Sequence, residues 1–117
     1  MRISIQSPSF ELTESLERRI RRRLSGLGER YSASVVSADI FLQDVNGPKG
    51  GRDKLLRIHV ALRDRQNIVV ETVDTDMYSA IDIGARRVHR SLRRHSQKSR
   101  RFDRLQLREV RRNLILA

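Results

Sequence analysis

Three groups of side chains in this 117-residue chain could do chemistry: three histidines, a run of aspartates and a large excess of arginines. His89 and His95 are six residues apart, whereas a helical metal pair needs ligands at i, i+4, and His59 lies alone in a strand-like run. Asp74, Asp76 and Asp82 could hold Mg²⁺ for a nuclease, but oxygens that cap a helix and face water explain them more simply. No G-x-S-x-G elbow frames a serine, and Gly47-Pro-Lys-Gly-Gly-Arg lacks the spacing of a phosphate-binding P-loop. With no cysteine, thiol catalysis, Cys-ligated zinc and a disulfide scaffold are excluded. The reading is of a protein with no catalytic residues, metal, cofactor or small-molecule substrate.

The arginines remain. There are 22 against 3 lysines, and the formal net charge is +11. An arginine fork suits phosphate and base edges, although a GC-rich genome would give the same bias. Residues 1–85 hold 13 basic and 12 acidic residues, and residues 86–117 hold 12 and 2. No acid occurs from residue 86 through 102. Solvated helix faces usually mix signs, and like charges at i, i+4 destabilise a helix, so an uncompensated column points to an anionic ligand. A membrane surface would ask for exposed Trp, Phe or Leu, yet Trp is absent and the apolar residues are needed for a core. Single-strand readers stack bases on aromatic rings, which make up 4% of the chain. Phosphate contact with folded RNA or DNA is left, reading shape rather than sequence.

These side chains need elements to position them. Ile3 and Ile5 alternate with polar neighbours as in a short strand, and Pro8 breaks it. Thr13 is an N-cap candidate with Glu14 and Glu17 in the first turn. Leu12, Leu16, Ile20, Leu24 and Leu27 follow at helical spacing, so the first helix spans about 13–27 and ends at Gly26 and Gly28. It carries Arg18, Arg19, Arg21, Arg22 and Arg23, the last projecting toward the core edge or the cleft beside it. Three strands follow: Val36, Ala38, Ile40 and Leu42 share one face, as do Leu56, Ile58, Val60 and Leu62, then Ile68, Val70 and Thr72. A polar, glycine-rich loop from Asp44 to Asp53 joins the first two strands, and a turn over 63–67 joins the next two. The second helix starts near Asp76. Met77, Ile81, Gly84, Val88 and Leu92 fall within about 40° of one line, and Arg86, Arg87, Arg90, Arg93 and Arg94 between about 140° and 260° from it. The outcome is an α+β class: a β-α-β-β-β-α two-layer sandwich with a four-stranded sheet and two helices on one face. Residues 1–98 form this domain. Residues 99–117 are a basic tail, for which a helix extension, a separate helix and ordering by a partner are all open. No apolar run approaches the ~20 residues of a membrane span, and the N-terminus lacks the apolar stretch of a signal peptide, so a cytoplasmic location is expected.

Asp76-Met-Tyr-Ser-Ala-Ile-Asp82 closely resembles the D-x-Y-x-A-I-D motif of the ribosome hibernation-promoting factor and ribosome-associated inhibitor family, some members of which were first labelled sigma-54 modulation proteins. Thr13-Glu-Ser-Leu16 and the spacing of the elements over about residues 1–98 are similar too. The resemblance implies a fold like that of double-stranded RNA-binding domains. It also implies binding to rRNA in the small-subunit channel for mRNA and tRNA, blocking translation in resting or stressed cells as a monomer on the ribosome. By resemblance the rRNA contacts are Arg23, Arg87, Arg90, Arg94 and Lys98, with Arg22, Arg86 and Arg93 beside them. Tyr78, Ala80, Ile81 and Asp82 match the motif, Tyr78 as core packing. The similarity is to the short form, without the long form's C-terminal dimerisation domain, and the Asn46–Asp53 loop is like that of a proteobacterial-type subgroup. The alternative is a general RNA-binding or transcription-related regulator.

Overall fold

The β-α-β-β-β-α order read from the sequence is the order of the fold: β1 (Arg2–Gln6), α1 (Glu14–Arg30), β2 (Val35–Asp44), β3 (Lys54–Leu62), β4 (Asn67–Asp74) and α2 (Met77–Leu116). This computed structural model describes residues 1–31, 33–45 and 53–116. The strands lie side by side in chain order. β1 runs parallel to β2, which requires a crossover, and α1 supplies it. β2, β3 and β4 form an antiparallel meander in which Ile40 pairs with Ile58 and Ile58 with Val70. One face of the sheet is therefore apolar. Leu16, Ile20, Leu24 and Leu27 of α1 and Met77, Ile81, Val88 and Leu92 of α2 pack on it as a single core. Both helices lie on that face, and Asp39, Arg57 and Glu71 occupy the other.

Local chemistry sets the starts of both helices. The Thr13 hydroxyl accepts from the Leu16 amide at 3.2 Å, with Glu14 and Glu17 against the positive end of α1. The Asp76 carboxylate accepts from the Tyr78 and Ser79 amides at 3.4 and 3.3 Å, and Asp74 from those of Thr75 and Asp76.

Four expectations are corrected or completed. α1 does not stop at Gly26 and Gly28 but runs to Arg30, capped by a bond from the Tyr31 amide to the Leu27 carbonyl. A mid-helix glycine costs ~1 kcal/mol relative to alanine. Burying Leu24 and Leu27 at 1% and 0% exposure contributes more, about 1.5–3 kcal/mol each. In β2 the inward residue is Val35, not Val36, because the pairing with β3 shifts between Val35 and Ser37 and the bulge turns Val36 to solvent. Asp44 is the last residue of β2, facing Lys54 of β3. Of the expected loop beyond it, Asp53 is buried and residues 46–52 lie outside the described residues. Finally, residues 99–116 continue α2 without a break, and every described side chain from Ser99 onward is exposed. The molecule measures 70 × 23 × 18 Å because this half of α2 stands clear of the domain. Among the described residues no helix is long and apolar enough to cross a membrane.

Candidate nucleic-acid interface

The arginines of α1 and those of α2 have opposite surroundings. On α1, Arg18 pairs with Glu14 at 3.1 Å and Arg21 with Glu17 at 3.2 Å, both at i, i+4. Arg19 and Arg23 reach across to α2 and share Asp82, at 3.0 and 2.9 Å. The Arg19 guanidinium also lies 5.3 Å from the centre of the Tyr78 ring. On α2, Arg86, Arg87, Arg90, Arg93, Arg94 and Lys98 are exposed, and among the described residues none forms an ion pair. Arg87 alone is anchored, donating through Nη1 to the Glu71 carbonyl at 3.1 Å.

Periodicity places the α2 arginines on one side of the helix; the fold sorts them into two hollows. Arg22, Arg23 and Arg86 line a groove of ≈ 500 Å³ between the helices, with Asp82 and His89 in its wall. His89 bridges the helices there, its Nε2 donating to the Arg23 carbonyl at 3.3 Å. Arg87, Arg90 and Arg94 line a second hollow of ≈ 330 Å³ between α2 and β4, with Val69 and Ser91. Glu71 also lines this hollow, and its carboxylate pairs with Arg57 at 3.3 Å across the strand pair. Arg93 and Lys98 line neither hollow. Asp82 thus occupies Arg23, and among the described residues Arg22 and Arg86 are the cations of the first hollow without an ion pair. The second presents three guanidiniums that form no ion pair among the described residues, its acid Glu71 being paired with Arg57. Such an array is suited to a multivalent anion, which could take charge-assisted hydrogen bonds from several guanidiniums at once.

The Asp76–Asp82 motif is architectural throughout. Asp76 caps α2, Ala80 and Ile81 are 0% and 2% exposed in the core, Tyr78 packs against that core, and Asp82 ties α1 to α2. The other candidates for chemistry have structural partners as well. His95 Nε2 donates to Asp64 at 2.8 Å, joining α2 to the β3–β4 turn, and His59 meets Asn67 at 3.1 Å. The amide of Gln66 and, after it, His95 hold the Asp64 carboxyl below its ordinary value. At the far end of the β2–β3 hairpin, Asp44 and then Asp53 hold the Lys54 ammonium above its usual range, desolvation opposing them. Among the described residues no group of three or more acids and histidines could hold a metal ion.

Sequence reasoning missed Arg19, which lies 63 residues from its partner. One signal was available: Asp82 is the only acid between Asp76 and Asp103, on a helix otherwise crowded with arginine.

The family described as sigma 54 modulation protein / S30EA ribosomal protein matches residues 3–100. Among solved structures, the N-terminal domain of Protein Y from Thermus thermophilus is 26% identical, with a TM-score of 0.67 over 81% of this chain and 99% of that one. A ribosomal subunit interface protein from Coxiella burnetii is 16% identical, with a TM-score of 0.70 over 83% and 99%, a likeness of fold alone. Among curated proteins, none matches the sequence closely enough to count as a relative.

Proposed function

Because the chain belongs to the sigma-54 modulation protein / S30EA ribosomal protein family, we propose that it is a ribosome-associated inhibitor of translation. In this reading it binds rRNA in the mRNA–tRNA channel of the small subunit, in the cytoplasm of stressed or resting cells, and acts as a monomer. The observation that carries the reading is the contrast between helices: α1 neutralises most of its arginines with acids, whereas those of α2 from Arg86 to Arg94 have no ion-pair partner among the described residues. An unneutralised column costs helix stability in the free protein and is repaid when phosphates replace water around it.

The mechanism is steric and needs no bond to be made or broken. Residues 1–98 act as the ribosome-binding domain. Arg87, Arg90 and Arg94, joined by Lys98 and Arg93, contact phosphates from one side of α2, and Arg22, Arg23 and Arg86 do so from the groove between the helices. A domain held at several points on the walls of a channel excludes any other occupant. Phosphate contacts carry no sequence information, so the target is read by the shape of folded RNA.

The test is sedimentation of extract from starved cells through sucrose gradients at low and high salt. The protein should travel with small subunits and whole ribosomes at low salt and leave them at high salt. Absence from those fractions at low salt overturns the proposal. The sigma-54 modulation in the family's description also favours a second reading, a transcription-related or general RNA regulator. Equal affinity for unrelated duplex RNA and for purified small subunits would select that one.

A further inference from the structure

The half of α2 that stands clear of the domain has no packing partner among the described residues, and its charges are not scattered. At 100° per residue, Arg100, Arg101, Arg104, Arg108, Arg111 and Arg112 fall within an arc of about 120°. It is the same arc that holds Arg86, Arg90, Arg93 and Arg94, with Gln97 and Ile115 the only other residues on it from 86 to 115. Both acids of the extension, Asp103 and Glu109, lie outside it. From Arg86 to Arg112 the stripe runs about 39 Å along one unbroken helix. Among the described residues none of its arginines forms an ion pair. Arg100, Arg104, Arg108 and Arg112 succeed one another at i+4, a repulsive arrangement that a line of phosphates relieves.

We propose that residues 99–112 of α2 are an RNA-binding arm, whose six-arginine stripe continues that of Arg86–Arg94 and grips the phosphate backbone of double-helical RNA beyond the reach of the folded domain. The proposal rests on the reading of α2 as an RNA-facing helix and adds a binding surface that the domain does not supply. Charge complementarity chooses the partner. A membrane-surface helix buries one apolar face opposite its cations. Here that opposite face mixes Ser99, Asp103, Gln106, Glu109 and Asn113 with Phe102 and Val110, and the exposed Leu107 and Leu114 lie to one flank and Leu105 to the other, so no continuous apolar face forms. Pairing with a second copy would bring together two segments of net charge +4 each, from six basic and two acidic residues over 99–117.

The full chain is tested by fluorescence anisotropy against a labelled RNA duplex two helical turns long and against purified small subunits, each over a series of KCl concentrations. Changing all six arginines of the arm to glutamine retains good helix formers. It should lower the slope of log K against log salt by about 4 to 5, at roughly 0.7 to 0.9 for each phosphate no longer neutralised. A charge-conserving variant, R104Q/Q106R/R111N/N113R, moves two arginines to the opposite face and should lower the slope by about 1.5. An unchanged slope in the six-glutamine variant overturns the arm, even where R87Q/R90Q/R94Q still weakens small-subunit binding and so upholds the proposed function. Wild-type slope in the charge-conserving variant overturns the one-sided stripe. If the wild-type chain ignores small subunits while the duplex slope depends on the arm, the ribosomal reading falls and the arm stands. Arm-dependent binding to phosphatidylserine vesicles with no effect on RNA overturns it in favour of a membrane.

Discussion

Replacing Gly84 with alanine sets two terms of known sign against each other. Gly84 is where α2 crosses the sheet, and a Cβ built there would lie 2.5 Å from Leu56 Cδ2, 3.3 Å from Ile58 Cδ1 and 3.6 Å from Thr72 Oγ1. Carbon atoms in contact prefer about 3.5–4.0 Å, so Leu56 or the helix must yield by roughly 1 Å. Leu56 and Ile58 are 1% and 2% exposed, so any shift must be made within a close-packed core. Overpacking of this kind costs about 1–3 kcal/mol. Alanine returns up to about 1 kcal/mol of helix propensity. Packing should win by about 1 kcal/mol, read as a lower urea midpoint with an unchanged m-value. Leu56→Ala alone should cost about 2–5 kcal/mol. It also makes the room that the added methyl group at position 84 needs, so the double variant should be more stable than the sum of the singles by about 1 kcal/mol. A G84A protein more stable than the wild type by its propensity gain, or strict additivity of the two changes, would refute this reasoning.

Three further outcomes follow from partners already named. Asp82→Asn removes the charge shared by Arg19 and Arg23. Urea unfolding should show a loss of about 1 kcal/mol, discounted because Arg23 is half exposed, and a cycle with Arg23→Gln should recover part of it. Thr72 Oγ1 is buried with no hydrogen-bond partner among the described residues, so Thr72→Val should raise stability by about 1 kcal/mol; a loss would show that the hydroxyl is satisfied. Asp64 titrates below its ordinary 3.8 in the folded chain, held there first by the Gln66 amide and then by His95. Its contribution is complete above 3.8 and lost as pH falls through the depressed value, so Asp64→Asn should flatten the acid limb of stability against pH while leaving the alkaline limb unchanged.

Periodicity could find what depends on one element at a time. Leu16, Ile20, Leu24 and Leu27 on α1 and Met77, Ile81, Val88 and Leu92 on α2 all enter the core as their spacing predicts. Thr13 and Asp76 cap the helices because their oxygens need only the next few amides. What escaped is what two elements decide together. The bulge that buries Val35 in place of Val36 is a property of the β2–β3 pairing. The persistence of α1 through Gly26 depends on the core beneath Leu24 and Leu27. The division of the arginines into two hollows required knowing where β4 runs and which of them Asp82 occupies. Beyond Lys98 only Leu107, Val110 and Leu114 share a side of the helix, Phe102 and Leu105 lie off it, and the order that runs the length of the extension is in the arginines.

The central claim is that the unpaired arginines of α2 meet rRNA phosphates while Arg18 and Arg21 of α1, paired with Glu14 and Glu17, do not. It is tested most directly by the salt dependence of binding to purified small subunits for R87Q/R90Q/R94Q beside R18Q/R21Q. The α2 variant should weaken binding and lower the log–log slope by about 2 to 3, and the α1 variant should follow the wild type. An unchanged slope for the α2 variant, or an equal loss in both, would contradict it.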